Sequence, residues 1–258
     1  MVSKKQKKKI RNYILVLLLI VLSVLATWLF FQWKYYQDAV KSQYPAFGII
    51  MPGGFTIHGI DVSKHQRFIA WNEVKKMEVD GIKIHFCFIK ATEGSDRTDV
   101  QFSRNWQQAK ANGIVRGAYH FFNPYTKGKK QAENFMDEVE LEKGDLPPVL
   151  DIEQYRGGSL IKFRKEALEW LQLVEAKYGV KPILYTNVAF YKQILGDAFD
   201  SYPLWVAHYN QPTGPRIGRN WVFWQHNETG MVNGIAHDVD FNVFNGDSVA
   251  FSKLLIPN

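Results

Sequence analysis

Cysteine is almost absent from this 258-residue chain: Cys87 is the only one, which excludes an intrachain disulfide framework and any CxxC metal or redox motif. Inside the apolar run FCFI it reads as a buried core thiol. The seven histidines, at 58, 65, 85, 120, 208, 226 and 237, show neither HxH nor HExxH spacing. No glycine-rich phosphate loop follows the first strand-like run, and no internal repeat is evident. No cofactor and no metal are therefore expected. Acids are missing from the first 33 positions, and charge of either sign is missing from Tyr13 to Trp33.

These last absences define the N-terminus. Lys4, Lys5, Lys7, Lys8, Lys9 and Arg11 precede YILVLLLIVLSVLATWLFFQW, 21 uncharged residues with Tyr13, Trp28 and Trp33 where interfacial aromatics belong. As a helix the run spans about 31 Å, matching a hydrocarbon core of about 30 Å. Residues 1–12 read as a basic cytoplasmic tail, 13–33 as a transmembrane signal-anchor, 34–55 as a linker ending in MPGG, and 56–258 as one barrel-forming domain on the extracytoplasmic side, in a periplasm or at a cell surface. Cleavage near Ala26 and secretion is the competing reading; the apolar run continuing through WLFF favours the anchor. Net charge is +7, but beyond the tail 26 basic residues face 25 acidic ones. The membrane is thus the expected partner of the tail, no nucleic acid is expected, and the folded domain is expected to be monomeric.

From Phe55 onward, strand-like runs alternate with helical patterns five times: FTIHGIDVS, HFCFIKATEG, IVRGAYHFF, PPVLDIE and KPILYTN each precede a helix-patterned stretch. PLWVAHYN, WVFWQHN and HDVDFNVF follow as strands joined by Pro- and Gly-rich connections. Eight strands with five helices predict an α/β fold closed as a TIM-like barrel. Function in such a barrel collects at one rim. The strand ends there carry Asp61, Glu93, His120 with Phe121, Asp151 with Glu153, Tyr185, His208 with Tyr209, Gln225 and Asp240.

The densest chemistry is in PPVLDIEQY. Alternation aims Val149, Asp151 and Glu153 to one face, and two α-carbons two residues apart in a strand lie about 6.6 Å apart, close enough for each carboxylate to raise the other's pKa. Such a pair is a reactive acid pair, a hard-cation site or a salt-bridged structural feature. A glycosidase needs one carboxylic acid to protonate the leaving oxygen and a second group to stabilise an oxocarbenium-like transition state, together with flat apolar surfaces for sugar faces. Glu93, Tyr119, His120, Phe121, Tyr185, Trp205, Tyr209, Trp224 and Gln225 are the candidate substrate-binding residues, and alternation must turn some of them outward into a helix layer.

HGIDVSKHQ, FIKATEG, RGAYHFF, PVLDIE, ILYTN, LWVAHYN, WQH and DVDFN, in this order, resemble glycoside hydrolase family 25, the bacterial and phage muramidases, from about Ile57 to Phe244. The resemblance implies hydrolysis of the β-1,4 bond between N-acetylmuramic acid and N-acetylglucosamine in peptidoglycan glycan strands. It places the general acid on Glu153, its companion on Asp151, and the first- and last-strand aspartates on Asp61 and Asp240. Phe241 stands where the family usually has leucine, and a membrane anchor is unusual among members. Asp151 is suited to orient a 2-acetamido group, with Asp61 and Asp240 tuning the site or positioning water. Hydrolysis of another 2-acetamido glycan such as chitin, and a non-catalytic glycan-binding module, are the alternatives.

Overall fold

A computed structural model describes residues 4–41 and 47–257. Helix α1 (Lys4–Lys41) contains one apolar stretch, Gln6–Lys34, long enough to cross a membrane. The remainder forms a closed barrel of eight strands: β1 (His58–Val62), β2 (Ile82–Glu93), β3 (Val115–Phe121), β4 (Val149–Asp151), β5 (Ile183–Asn187), β6 (Leu204–Ala207), β7 (Phe223–Gly230) and β8 (Val239–Phe244). Strand β1 closes it, pairing in parallel with β2 and antiparallel with β8.

The five expected helical connections are all present. Helices α2 (Trp71–Lys76), α3 (Phe102–Ala111), α4 (Gly128–Glu138) and α5 (Leu160–Tyr178) follow β1 to β4 in turn. The fifth, VAFYKQIL, is less regular than its pattern suggests: the short α6 (Val188–Phe190) continues as a π-helical turn, Tyr191–Leu195, and a 3-10 turn, Gly196–Phe199. A last helix, α7 (Ser248–Leu254), lies beyond the expected set and closes the lower end of the barrel, its Phe251 ring 5.1 Å from Phe244 and 5.8 Å from Phe86.

Alternation sorts the strands into two layers. Phe86, Phe88, Val149, Ile183, Phe223 and Phe244 fill the barrel interior, while Ile60, Cys87, Ile89, Ala118, Leu150 and Ile152 face the helices. Interior volume is rationed by glycine. A Cβ on Gly59 would fall 2.5 Å from the Phe86 ring, and one on Gly117 would fall 2.6 Å from the Phe88 ring. Two phenylalanines of one strand can therefore fill the barrel because the strands on either side of it carry no side chain opposite them.

No helix follows β6 or β7 to cover the outside of the last strands, and the N-terminal approach to β1 covers it instead. Phe47 is buried with its ring 5.2 Å from Phe241 on β8, and its carbonyl accepts from the Met231 amide. Ile49 and Met51 pack on the same core, and Phe55 lies against Trp221 and Trp224 at 6.0 and 5.9 Å. Residues 47–55, expected to be linker, are thus packed against the barrel wall.

Overpacking a tightly filled interior typically costs about 1–3 kcal/mol. Replacing Gly117 by Ala is expected to lower stability by about this much, read as a lower denaturant midpoint with an unchanged slope.

Candidate active site

The site is assembled by register. Phe121, Asp151, Tyr185 and Trp205 sit side by side on β3 to β6, and Asp61 on β1 lies opposite Asp240 on β8. Strand β8 runs against the others, so Asp240, near its N-terminal end, reaches the same rim as the C-terminal ends of the parallel strands. Strand β4 ends at Asp151, and Glu153 follows one residue beyond Ile152. The two carboxylates still line one cleft of about 420 Å³, together with Asp61, Asp240, Lys90, Tyr119, Phe121, Tyr185, Trp205, Tyr209 and Gln225.

Its floor is aromatic. Trp205 stacks on Phe88 at 4.3 Å and meets Tyr185 at 4.4 Å, and its indole N–H donates to Asn242 Oδ1 at 2.7 Å. Gln225 is the hub of the polar wall. Its Oε1 accepts from the Tyr185 and Tyr209 hydroxyls, both at 2.8 Å, while its Nε2 donates to Asp61 Oδ2 at 2.8 Å. Asn242 Nδ2 donates to the same oxygen at 2.8 Å.

Burial dominates the electrostatics. It raises Asp61 to about 6, against hydrogen bonds from Asn242, Gln225 and Asp240 that favour the carboxylate. Asp240 is pushed up to about 9, first by burial and then by the charge of Asp61, to which it donates its retained proton. Burial and mutual repulsion thus favour a retained proton on this pair.

The other pair is unequal. Asp151 is buried and raised well above the usual carboxylate range, by desolvation and then by the charge of Glu153, with Lys90 opposing. Its Oδ1 is buried and has no hydrogen-bond partner. Glu153 is the more exposed member; desolvation by the cleft raises its pKa too, and Lys90 again opposes. Burial thus raises both members of the pair, and the charge of Glu153 adds to it at Asp151.

Three of the candidate binding residues lie away from this cleft. His120 is turned into the helix layer, its ring nitrogens 2.7 Å from Thr92 Oγ1 and 3.1 Å from Gln131 Oε1, and it stacks on Trp170. Burial holds it neutral, its pKa down at about 4. Trp224 faces the outer wall beside Phe55 and Trp221, its indole donating to the His208 carbonyl at 2.8 Å. Glu93 is engaged by Lys90 at 2.9 Å and Arg97 at 2.7 Å. It holds Lys90, whose ammonium sits 4.6 Å from the centre of the Phe121 ring. Lys90 and Glu228 line the cleft and were missed in the sequence: FIKATEG offers the lysine openly, but inward direction within a twelve-residue strand is visible only once the register is known.

A second cavity of about 610 Å³ adjoins the first. Glu153, Tyr185 and Tyr209 belong to both, and the far side is lined by Asn187, Lys192, Gln193 and His208. The acid pair therefore stands at the middle of a groove rather than at its end.

Desolvated carboxyl groups at the mouth of a closed barrel, with a groove passing over them, suit glycoside hydrolysis, and sequence similarity places the chain in that class. The chain belongs to glycosyl hydrolases family 25, whose profile matches residues 60–235. An uncharacterized protein of Escherichia coli strain K12, YegX, is 48% identical over 201 residues, covering 78% of this chain and 74% of that protein. Lysozyme M1 of Streptomyces globisporus is 35% identical over 213 residues, covering 77% and 71%. Among solved structures, a family 25 glycosyl hydrolase from Bacillus anthracis superposes with a TM-score of 0.70 at 32% identity, covering 82% of this chain and 98% of that one.

The retained proton has a consequence for stability. The folded chain keeps on Asp240 a proton that the unfolded chain releases near 3.8, so this site's contribution falls as pH rises from about 4 to about 9. Replacing Asp240 by Asn removes that dependence. The melting temperature of the variant is expected to gain on wild type steadily across this window; parallel profiles would show that Asp240 is ionised throughout.

Proposed function

We propose that the barrel is an N-acetylmuramidase that hydrolyses the β-1,4 bond between N-acetylmuramic acid and N-acetylglucosamine in peptidoglycan glycan strands. The observation that carries this reading is the carboxyl pair Asp151 and Glu153 lining one cleft, with Glu153 common to both halves of the groove. The N–H of a 2-acetamido sugar lying in this cleft is a suitable donor to the Asp151 carboxylate. The groove extends to both sides of Glu153, as cleavage inside a polymer requires.

The roles follow from the electrostatics. In the free site the pair holds its proton best on buried Asp151. A substrate N–H donating to Asp151 favours the carboxylate form and moves the proton to Glu153, where the leaving glycosidic oxygen needs it. Asp151 then orients the acetamido carbonyl and stabilises positive charge at the anomeric carbon. Glu153, now ionised, takes a proton from the incoming water. Asp61 and Asp240 adjust the field of the cleft through the proton the pair retains. Tyr185, Tyr209, Trp205, Tyr119 and Phe121 supply sugar-contacting surface.

The apolar stretch Gln6–Lys34, preceded by lysines, supports a second part of the reading: α1 anchors the chain in a membrane with its basic end in the cytoplasm and the barrel on the other side.

Digestion of purified peptidoglycan should expose N-acetylmuramic acid at the new reducing ends; N-acetylglucosamine there would assign a different bond. Replacing Glu153 by Gln removes the transferable proton while keeping the shape, and turnover should fall about 10²- to 10⁴-fold with substrate binding retained. Replacing Asp151 by Asn should lower turnover as well and shift the alkaline limb of the pH profile downward. A pair of carboxyls holds its last proton more tightly than either does alone, because two adjacent negative charges repel. An unmoved limb would show that the carboxyls do not share a proton.

A further inference from the structure

The anchored muramidase reading leaves open which glycan the enzyme can reach, and the packing of residues 47–55 bears on that question. The chain meets the barrel at its catalytic rim. Phe47 is buried against Phe241, the neighbour of Asp240, and is held by the amide of Met231, which directly follows the rim end of β7. From there the segment runs down the outer wall, past Trp224, to Phe55 and to the lower end of β1, where the Phe244 amide donates to the Ile57 carbonyl at 3.0 Å.

The connection to α1 is short. The apolar span ends at Lys34 and the helix at Lys41. Seven helical residues rise about 10 Å, and six residue steps from Lys41 to Phe47 extend at most about 21 Å in any conformation. Phe47 therefore lies no more than about 31 Å from the membrane surface. The Phe47 and Phe241 rings are 5.2 Å apart and Asp240 is the adjacent residue, so the cleft lies within a further distance on the order of 10–15 Å.

Resting on the reading above, we infer that the enzyme is confined to glycan within about 45 Å of its own membrane, the layer next to where strands are made, and cannot work through the depth of a thick wall. The packed segment makes the limit firm. Were residues 47–55 a free linker, nine more residues would add up to about 30 Å of reach and let the cleft turn in any direction. Packed as they are, they fix the catalytic end of the barrel as the tethered end.

The test uses the full chain in a supported bilayer, with a peptidoglycan film held above it on duplex DNA spacers of 10 or 25 base pairs, about 34 and 85 Å at 3.4 Å per pair. Wild type is expected to release glycan at the short spacer and less than one-tenth as much at the long one. A variant with 80 Gly/Ser residues inserted between Ser42 and Gln43, adding about 50 Å of root-mean-square reach, should release glycan at both. Equal release by wild type at both spacers overturns the limit. So does an inserted variant that cleaves soluble glycan fragments yet fails at the long spacer, because length would not then be what restrains it. Failure of wild type to cleave soluble fragments is a different result, and it sinks the hydrolase reading instead.

Discussion

The pairing of β1 with β8 is the constraint on which the rest of the molecule depends. It closes the barrel, and it sets Asp61 directly opposite Asp240. Two carboxyls in one desolvated place resist ionising together, so burial favours a retained proton on the pair, and two amides, from Gln225 and Asn242, satisfy Asp61. Those amides are committed further. Gln225 also accepts from Tyr185 and Tyr209, and Asn242 accepts from the Trp205 indole. The network around one carboxylate thereby holds three of the cleft's aromatic side chains, Tyr185, Tyr209 and Trp205, which is how a closure contact becomes a substrate surface.

The same economy governs the opposing side. Lys90 is the one lysine or arginine among the described residues lining the cleft, and it opposes the elevation of both Asp151 and Glu153. It is itself held by Glu93 and lies over Phe121. A second cation beside the pair would have stabilised both carboxylates and left no acid to donate. With one partly neutralised lysine, burial keeps its grip and the pair retains a proton. The difference in exposure between Asp151 and Glu153 then decides which of them holds it before substrate arrives.

Much of this was legible in the chain. Alternation within PPVLDIEQY placed Asp151 toward the cleft with Val149 beneath it, and the succession of strand and helix patterns counted out the barrel. The less legible features share a physical cause, which is that they depend on pairing between distant strands. Nothing local in HDVDFNVF tells whether the strand runs up or down, yet its antiparallel direction is what carries Asp240 to the rim. Tyr119, His120 and Phe121 are consecutive, so period two had to send the middle one outward; the register with β4 shows Phe121 beside Asp151 and His120 beside Leu150. Trp224 and Gln225 separate in the same way. Glu93 lies outside the cleft for a different reason: its neighbours Lys90 and Arg97 lie three and four residues away in sequence, an ion-pairing pattern familiar from helices that here occurs at a strand end.

The missing helices after β6 and β7 bind these threads together. A barrel wall without a helical cover must still bury its outward side chains, here Phe241 and Trp224 among them, and the segment that precedes β1 packs on both. That segment must begin at the rim and end at the base, because β1 starts at the base. Any helix placed before it is thus joined to the barrel at the catalytic end. Covering the core and setting the position of the tether are a single structural solution, and the end of the stretch that read as a linker closing in MPGG is part of the wall that covers Phe241 and Trp224.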